Sequence, residues 1–572
     1  MTRTKKNKPG NGSKQSAAKA ASQKQDTSKP KTYEAPNMTD GKIPQWKLGQ
    51  PKDFYSRFVH KRQPVVIQGR LDDLDFVTKN WSNVDYLRET AGDAPVKVEP
   101  MHKEKKRYGT DVERVDTTFG AFLDSLKEDK EEYDYLTTQY SDDEDDMDSE
   151  GDEDEDEDED EEKEHGQDNE IKSGTFPQPV RALLREEVPM RPEMMGNLVL
   201  QQMNIWLGKT KSGTSSGLHH DFHDNLYILL KGRKRFVLYP PSAVHHLDTY
   251  GKPQKIHPNG LIVYKQPGDE DDEDLAEEDN EADQIRPDGL VERDAAALKV
   301  QALEEAMDKL EESGEQKGLD KIQKEYGDAV ERLMKYQAAD FGELGEDDFD
   351  EVSSAEESEP EELKDQVLRD NLILKRKATD DLPGSKASKT AKAGAEDQDD
   401  EDSEANDDDD DDSDAELMAA LERAQNGQRD DFDDGDSDAS DLEDAFAFAQ
   451  GSDAPSEPLS FSKISTQDLH SHLSLTTPHT PSAALEKAGK PYIVDLKAGD
   501  MLYLPTSWFH EVTSFSDEES ADNVHIALNY WFHPPDSAKP EFEKPYADAA
   551  LWKFMEEKVK SAYEGLVAAK EE

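Results

Sequence analysis

No cysteine occurs among the 572 residues, which excludes a disulfide framework, cysteine-ligated zinc or iron–sulfur sites and a thiol nucleophile. Any metal must then be held by His, Asp or Glu, and the absence suits a reducing, intracellular compartment. Hydrophobic residues are scarce, at 33% against 35% charged. So polar a chain does not pack as one uniform globule, although its length alone would allow three or four domains. No apolar run approaches the roughly 20 residues that cross a bilayer, and the N-terminal segment has no secretory apolar core. The sequence therefore predicts a soluble intracellular protein with no membrane partner.

Charge is abundant and uneven. Residues 141–170 carry 21 acidic side chains against one basic, and 269–460 carry 67 against 19. The other 350 residues are close to neutral, with 45 acidic and 49 basic side chains. Blocks of this kind repel themselves and have little to bury, so both inserts are expected to be disordered, either as solvated spacers or as docking surfaces for basic partners. Residues 1–40 form a basic tail, rich in Lys up to Lys31, which reads as a nuclear-import or nucleic-acid contact or as a plain soluble leader. Lys375-Arg376-Lys377 is a second import candidate, and the expected location is nucleus, cytoplasm or both. Inside the long insert, Leu303, Met307 and Leu310, then Ile322, Tyr326, Val330 and Leu333, recur at helical spacing with Gly318 and Gly327 interrupting, which predicts a helix pair over 294–337. The islands LMAALERA from Leu417 and DAFAFA from Asp444 are short apolar patches of the kind that fold on a partner.

Removing the biased segments leaves 41–140, 171–268 and 461–572, enough for one substantial domain. FYSRFVHKRQPVVIQG (Phe54–Gly69) reads as a helix running into a strand. LVLQQMNIWLG (Leu198–Gly208) and NVHIALNYWF (Asn523–Phe532) read as strands. NLYILLKGRKRFVLYPP (Asn225–Pro241) reads as a hairpin about Lys231-Gly232, and YIVDLKAGDMLYLP (Tyr492–Pro505) as two strands about a tight Gly499-Asp500 turn. Short strands with glycine turns indicate a mainly β fold, a barrel or double-sheet jelly roll with flanking helices. Lys544–Ala568 closes it as a C-terminal helix.

One cluster carries chemistry, LHHDFHDN from Leu218 to Asn225. On a strand, residues two apart share a face, so His219 and Asp221 point together and His220 away. With one further His they form a two-His-one-carboxylate facial triad, which suits non-haem Fe(II) and leaves positions open for co-substrate and oxygen. His510, after the Pro-bearing turn of GDMLYLPTSWFHEV, is the best-placed third ligand. His525 lacks a turn to aim it, and His245, His246 and His257 fall in a loop. On spacing alone His223 remains an alternative partner of Asp221.

At these residues the sequence resembles the JmjC-type, cupin-like iron and 2-oxoglutarate oxygenases, in particular the small asparaginyl and lysyl protein hydroxylases. The matches run in order through PVVIQG, YLTTQ, NIWLG, LHHDFHDNLY, KGRKRFVLYPP, GDMLYLPTSWFHEV and ALNYW. The resemblance implies a double-stranded β-helix with His219, Asp221 and His510 as Fe(II) ligands, which settles the choice against His223. It implies that Lys234 and Tyr135 hold the far carboxylate of 2-oxoglutarate, that Ser216 stands where the family has Thr, and that Asn225 and Asn529 lie near the co-substrate's chelating end. Each also has an ordinary reading, as a solvated strand lysine, a core aromatic or a turn asparagine. The acidic block after Tyr135 predicts that its strand is displaced or poorly paired, whereas the 269–460 insertion is tolerable because closure cost grows only logarithmically with loop length.

The implied activity is hydroxylation of a protein side chain, lysyl or asparaginyl, with molecular oxygen as second co-substrate. Histone lysine demethylation is the same chemistry on an N-methyl carbon. The rival class is a non-catalytic, chaperone-like acidic factor. The expected partner is a basic protein such as a histone, a ribosomal protein or a GTP-binding protein, with nucleic acid disfavoured by the near-neutral core. By analogy with related hydroxylases, the C-terminal helix would permit a homodimer.

Overall fold

In the computed structural model the described residues are 32–36, 38, 42–139, 174–265, 281–313, 316–340 and 457–570. The basic tail up to Lys31, the 141–170 block, Lys375-Arg376-Lys377 and the two apolar islands lie outside them.

The core is a jelly roll of two facing sheets. In chain order the strands are β1 (Gln45–Lys47), β2 (Val65–Gln68), β3 (Pro95–Glu99), β4 (Val115–Thr118), β5 (Tyr135–Leu136), β6 (Leu200–Gly208), β7 (Thr214–Ser215), β8 (Asp224–Lys231), β9 (Arg233–Tyr239), β10 (Pro253–Ile256), β11 (Ile262–Tyr264), β12 (Tyr492–Lys497), β13 (Met501–Leu504), β14 (Phe509–Phe515) and β15 (His525–Phe532). The larger sheet has the order β1-β2-β13-β8-β15-β6-β5-β3-β4, and the smaller β12-β9-β14-β7. All pairs are antiparallel except β1 with β2.

Strand alternation builds two cores from the same strands. Leu226, Ile228 and Leu230 of β8, with Ile526, Leu528 and Tyr530 of β15, face outward onto the helices. Tyr227 and Leu229, with Ala527, Leu502 and Leu504, face inward against Phe236 and Leu238 of β9. Both faces are covered, which is why these strands read as near-continuous apolar runs rather than as clean alternation.

One expected hairpin is corrected. β8 pairs with β13 and β15, β9 with β12 and β14, and nothing joins β8 to β9. The single residue Gly232, at φ +83°, turns the chain from one sheet into the other. A Cβ there would sit 2.6 Å from the Phe515 carbonyl, so only glycine fits this corner. Gly499-Asp500 likewise turns the chain from β12 in the small sheet to β13 in the large one. A connection of one to three residues looks the same in sequence whether it returns a strand to its neighbour or passes it across the barrel. β5 is only two residues long, yet it pairs with both β3 and β6, so the strand bearing Tyr135 is short rather than displaced.

Helices cover the outer face. The segment from Pro51 to Val59 is helical and leads into β2, as expected. The helix pair is present as Glu292–Ser313 and Gln316–Asp340, with Gly318 and Gly327 inside the second helix rather than interrupting it. The C-terminal helix begins at Ala549, later than Lys544, because Pro545 precedes an Asp548 cap whose side chain accepts from the Leu551 amide. Leu290, Ala295, Leu298 and Ala302 of the insertion share one apolar cluster with Leu551, Trp552, Met555 and Val559. Lys299 pairs with Asp548 at 2.5 Å, and Trp552 Nε1 donates to Asp288 at 3.1 Å. No described helix is long and apolar enough to cross a membrane.

Candidate metal centre

His219 and Asp221 precede β8 as a bridge residue and an irregular one, rather than lying on a full strand. The alternation rule still decides their direction, because His219 is held in strand-like pairing. Its amide donates to the His510 carbonyl at 3.0 Å, and its carbonyl accepts from the His510 amide at 2.7 Å. His220, on the other side of the chain, is buried against Tyr264, Phe222 and Phe509. His510 is the second residue of β14, delivered by the turn Pro505–Trp508 after β13. That turn is tied down by Ser507, whose amide donates to the Asp221 carbonyl at 2.8 Å. The Thr506 amide donates at 3.1 Å to Asp224, itself buried and paired with Arg62.

Among the described residues, His219, Asp221 and His510 form the one group with metal-ligating geometry, their donor atoms lying within 4.8 Å of one another. His510 Nε2 is 3.6 Å from Asp221 Oδ2, and the two imidazole centroids are 4.3 Å apart. His219 Nδ1 meets the Gly217 carbonyl at 3.1 Å and His510 Nδ1 the Trp508 carbonyl at 2.9 Å. A carbonyl only accepts, so each Nδ1 carries the proton and each Nε2 presents a lone pair to the shared centre. Burial holds the His219 imidazole well below its usual range, with the neighbouring His510 adding to the effect, and pushes the Asp221 carboxyl up. A neutral imidazole is the ligating form. Two imidazoles and one carboxylate gathered in this way fit a divalent first-row cation such as Fe(II) with positions to spare.

The same cavity runs inward from the triad to Tyr227, Tyr135 and Lys234. Lys234, on β9, is 1% exposed, and its ammonium lies 3.0 Å from the Tyr135 hydroxyl. No carboxylate among the described residues pairs with it, and burial pulls its pKa down to about 7. Between the two ends, Trp206 Nε1 donates to Asn529 Oδ1 at 3.1 Å, and Asn529 Nδ2 donates to Asn225 Oδ1 at 3.3 Å. Asn225 in turn offsets part of the effect of burial on the Asp221 carboxyl. The Ser216 hydroxyl accepts from the Val512 amide at 3.2 Å on the cavity wall. All eight candidate residues therefore border one cavity.

The other histidines go elsewhere. His223 packs on Trp531 at 4.8 Å, and His525 packs on Tyr135 at 5.5 Å, deep beside Lys234. His245 and His246 are exposed on a short helical turn, and His257 meets the Ile285 carbonyl. Among the residues not foreseen, two touch the candidate side chains directly. Trp206, which orients Asn529, was legible in principle, since it lies on the inward face of β6. Phe461, whose ring stacks on His219 at 4.5 Å, is remote in sequence and carried no local signal.

A family model for a cupin-like domain matches residues 51–538. The chain is 33% identical over 532 residues to JmjC domain-containing protein 4 of Schizosaccharomyces pombe, covering 91% of this chain and 89% of that protein. Over 59 residues, 10% of this chain and 18% of the relative, it is 39% identical to the human bifunctional peptidase and (3S)-lysyl hydroxylase JMJD7. Over 194 residues, 33% of this chain and 35% of the relative, it is 26% identical to the lysine-specific demethylase JMJ30 of Arabidopsis thaliana.

Proposed function

The chain belongs to the cupin-like, JmjC-type family, and on that premise we propose that it is an Fe(II)- and 2-oxoglutarate-dependent dioxygenase that hydroxylates a side chain of a basic protein. The observation that carries this reading is Lys234. A buried ammonium without a carboxylate partner is costly unless a ligand supplies one. Here it lies at the inner end of the cavity whose other end is the His219, Asp221 and His510 triad. A molecule with a carboxylate at one end and a metal chelator at the other matches that spacing of groups.

With iron bound, 2-oxoglutarate and oxygen supply the oxidising power to convert C–H to C–OH, leaving succinate and carbon dioxide. The protein's own residues bind and orient. His219, Asp221 and His510 would hold the metal. Lys234 and Tyr135 take the distal carboxylate by a charge-assisted pair and a hydroxyl bond. Asn225 and Asn529 present amides near the chelating end, fixed by Trp206. The apolar walls Phe236, Leu502 and Leu504 exclude water. The acidic excess of 141–170 and 269–460 favours a basic substrate, whether a histone, a ribosomal protein or a GTP-binding protein.

Anaerobic titration of Fe(II) with 2-oxoglutarate, followed by the charge-transfer absorption, tests the reading. A band in the wild type that vanishes in His219→Ala, Asp221→Ala supports it. Absence of the band from folded wild type would leave the acidic binding factor as the better account. The lysine demethylase reading draws on the similarity to JMJ30. It is separated by product, because release of formaldehyde from a methylated histone peptide marks demethylation, and a gain of one oxygen on the substrate marks hydroxylation.

A further inference from the structure

Residues 457–472 meet the surroundings of both metal-ligating histidines. The stretch Glu457–Lys463 runs as a strap beside the His-Asp segment. Ser462 N donates to the Leu218 carbonyl at 2.8 Å, His220 N to the Ser460 carbonyl at 3.3 Å, and Lys463 N to the Asp248 carbonyl at 2.7 Å. These bonds place the Phe461 ring flat on His219, with centroids 4.5 Å apart and planes 10° from parallel. Phe461 is itself fixed. The Arg107 guanidinium lies 5.6 Å from its ring, and Arg107 and Lys105 both pair with the buried Glu457 of the same strap. Gly109 leaves room for it, since a Cβ there would come within 2.7 Å of the ring. Further along, His470 lies 3.2 Å from the buried Glu511, the neighbour of His510.

The bond from Nδ1 to Gly217 sets the tautomer of His219 and one direction of its ring, but leaves the ring free to tilt about that bond. A flat aromatic surface on its face removes the tilt, and with it the spread in direction of the Nε2 lone pair. We propose that Phe461 is a positioning residue for His219, so that the strap following the long insertion is a working part of the metal centre. The proposal deepens the iron reading above and rests on it.

The test compares full-length wild type, Phe461→Leu and Phe461→Tyr by anaerobic Fe(II) titration, with Co(II) as a second probe, together with metal-free thermal unfolding. Leucine keeps apolar bulk and removes the flat face; tyrosine keeps the face. The expected result is a rise of about tenfold in the metal dissociation constant for Phe461→Leu, and a value within about twofold of wild type for Phe461→Tyr. In Phe461→Leu the charge-transfer band with 2-oxoglutarate should also shift or broaden. Equal affinity and an identical band in Phe461→Leu overturn the proposal, whatever its melting temperature. Equal losses in the leucine and tyrosine variants also overturn it, because packing rather than the aromatic face would then be at work. A wild type that takes up no metal defeats the functional reading instead, and the two failures are thereby distinct.

Discussion

Lys234 combines three properties that seldom coincide in a lysine: full burial, a tyrosine hydroxyl at 3.0 Å and no carboxylate partner among the described residues. Lys234→Ala is expected to weaken 2-oxoglutarate binding on the order of 100-fold while leaving Fe(II) affinity close to wild type, as read by calorimetry of each ligand. Tyr135→Phe, which removes one hydroxyl bond, should cost about fivefold to tenfold in the same measurement. The depressed pKa of Lys234, about 7, gives a pH dependence with a definite sign. The ammonium binds the carboxylate, so affinity is level below pH 7 and weakens above it as the free protein loses the proton. The slope should be up to about tenfold per pH unit, with net proton uptake on binding. A flat profile from pH 6.5 to 8.5 would contradict it. At this scale the site was legible where its signal is local. His219, Asp221 and Asn225 sit within seven residues, and Lys234 follows them on the next strand. Trp206 could have been read from the alternation of β6, whereas Phe461 could not, because what makes it matter is contact across the fold, which no spacing encodes.

Strands and helices were legible as runs but not as neighbours. The apolar stretches of β8, β9, β12, β13 and β15 were all visible in the sequence. The sheet each joins depends on whether Gly232 and Gly499 return the chain or pass it across, and glycine serves both uses. The helix pair of the insertion was visible by period, whereas its place against the C-terminal helix was not. That contact has a measurable weight. Trp552 is 3% exposed, stacks on Tyr546 at 4.2 Å and donates to Asp288 beside the first insertion helix. Trp552→Ala is therefore expected to destabilise the protein by about 3–5 kcal/mol in urea unfolding. A loss below about 1 kcal/mol would mean that the C-terminal helix and the 281–313 segment are not one packed unit.

Taken whole, the molecule joins a nearly neutral barrel to chain segments of extreme negative charge, and the two should answer differently to salt. Capture of a basic protein is expected to weaken steeply between 50 and 500 mM salt, since exposed charges are screened over about 10 Å or less. Fe(II) and 2-oxoglutarate affinity, set at buried groups, should change little over the same range. Parallel loss of both would refute this division of labour. The barrel itself is interleaved: β8 lies between β13 and β15, and β9 between β12 and β14. On the ribosome this order becomes a matter of time. His510 is added 289 residues after Asp221, an interval of roughly 15 to 60 s at ordinary rates of synthesis. Until β12 and β13 are made, near the end of that interval, the central strands β8 and β9 stand without either of their final neighbours, as apolar edges of the kind that aggregate. The stretch synthesised meanwhile carries the larger part of the chain's acidic excess, 67 acidic side chains against 19 basic over 269–460. The long acidic insertion thus accompanies the unfinished barrel through its most vulnerable period, and a message cut short anywhere within it yields a protein with two of the three candidate metal ligands and no third.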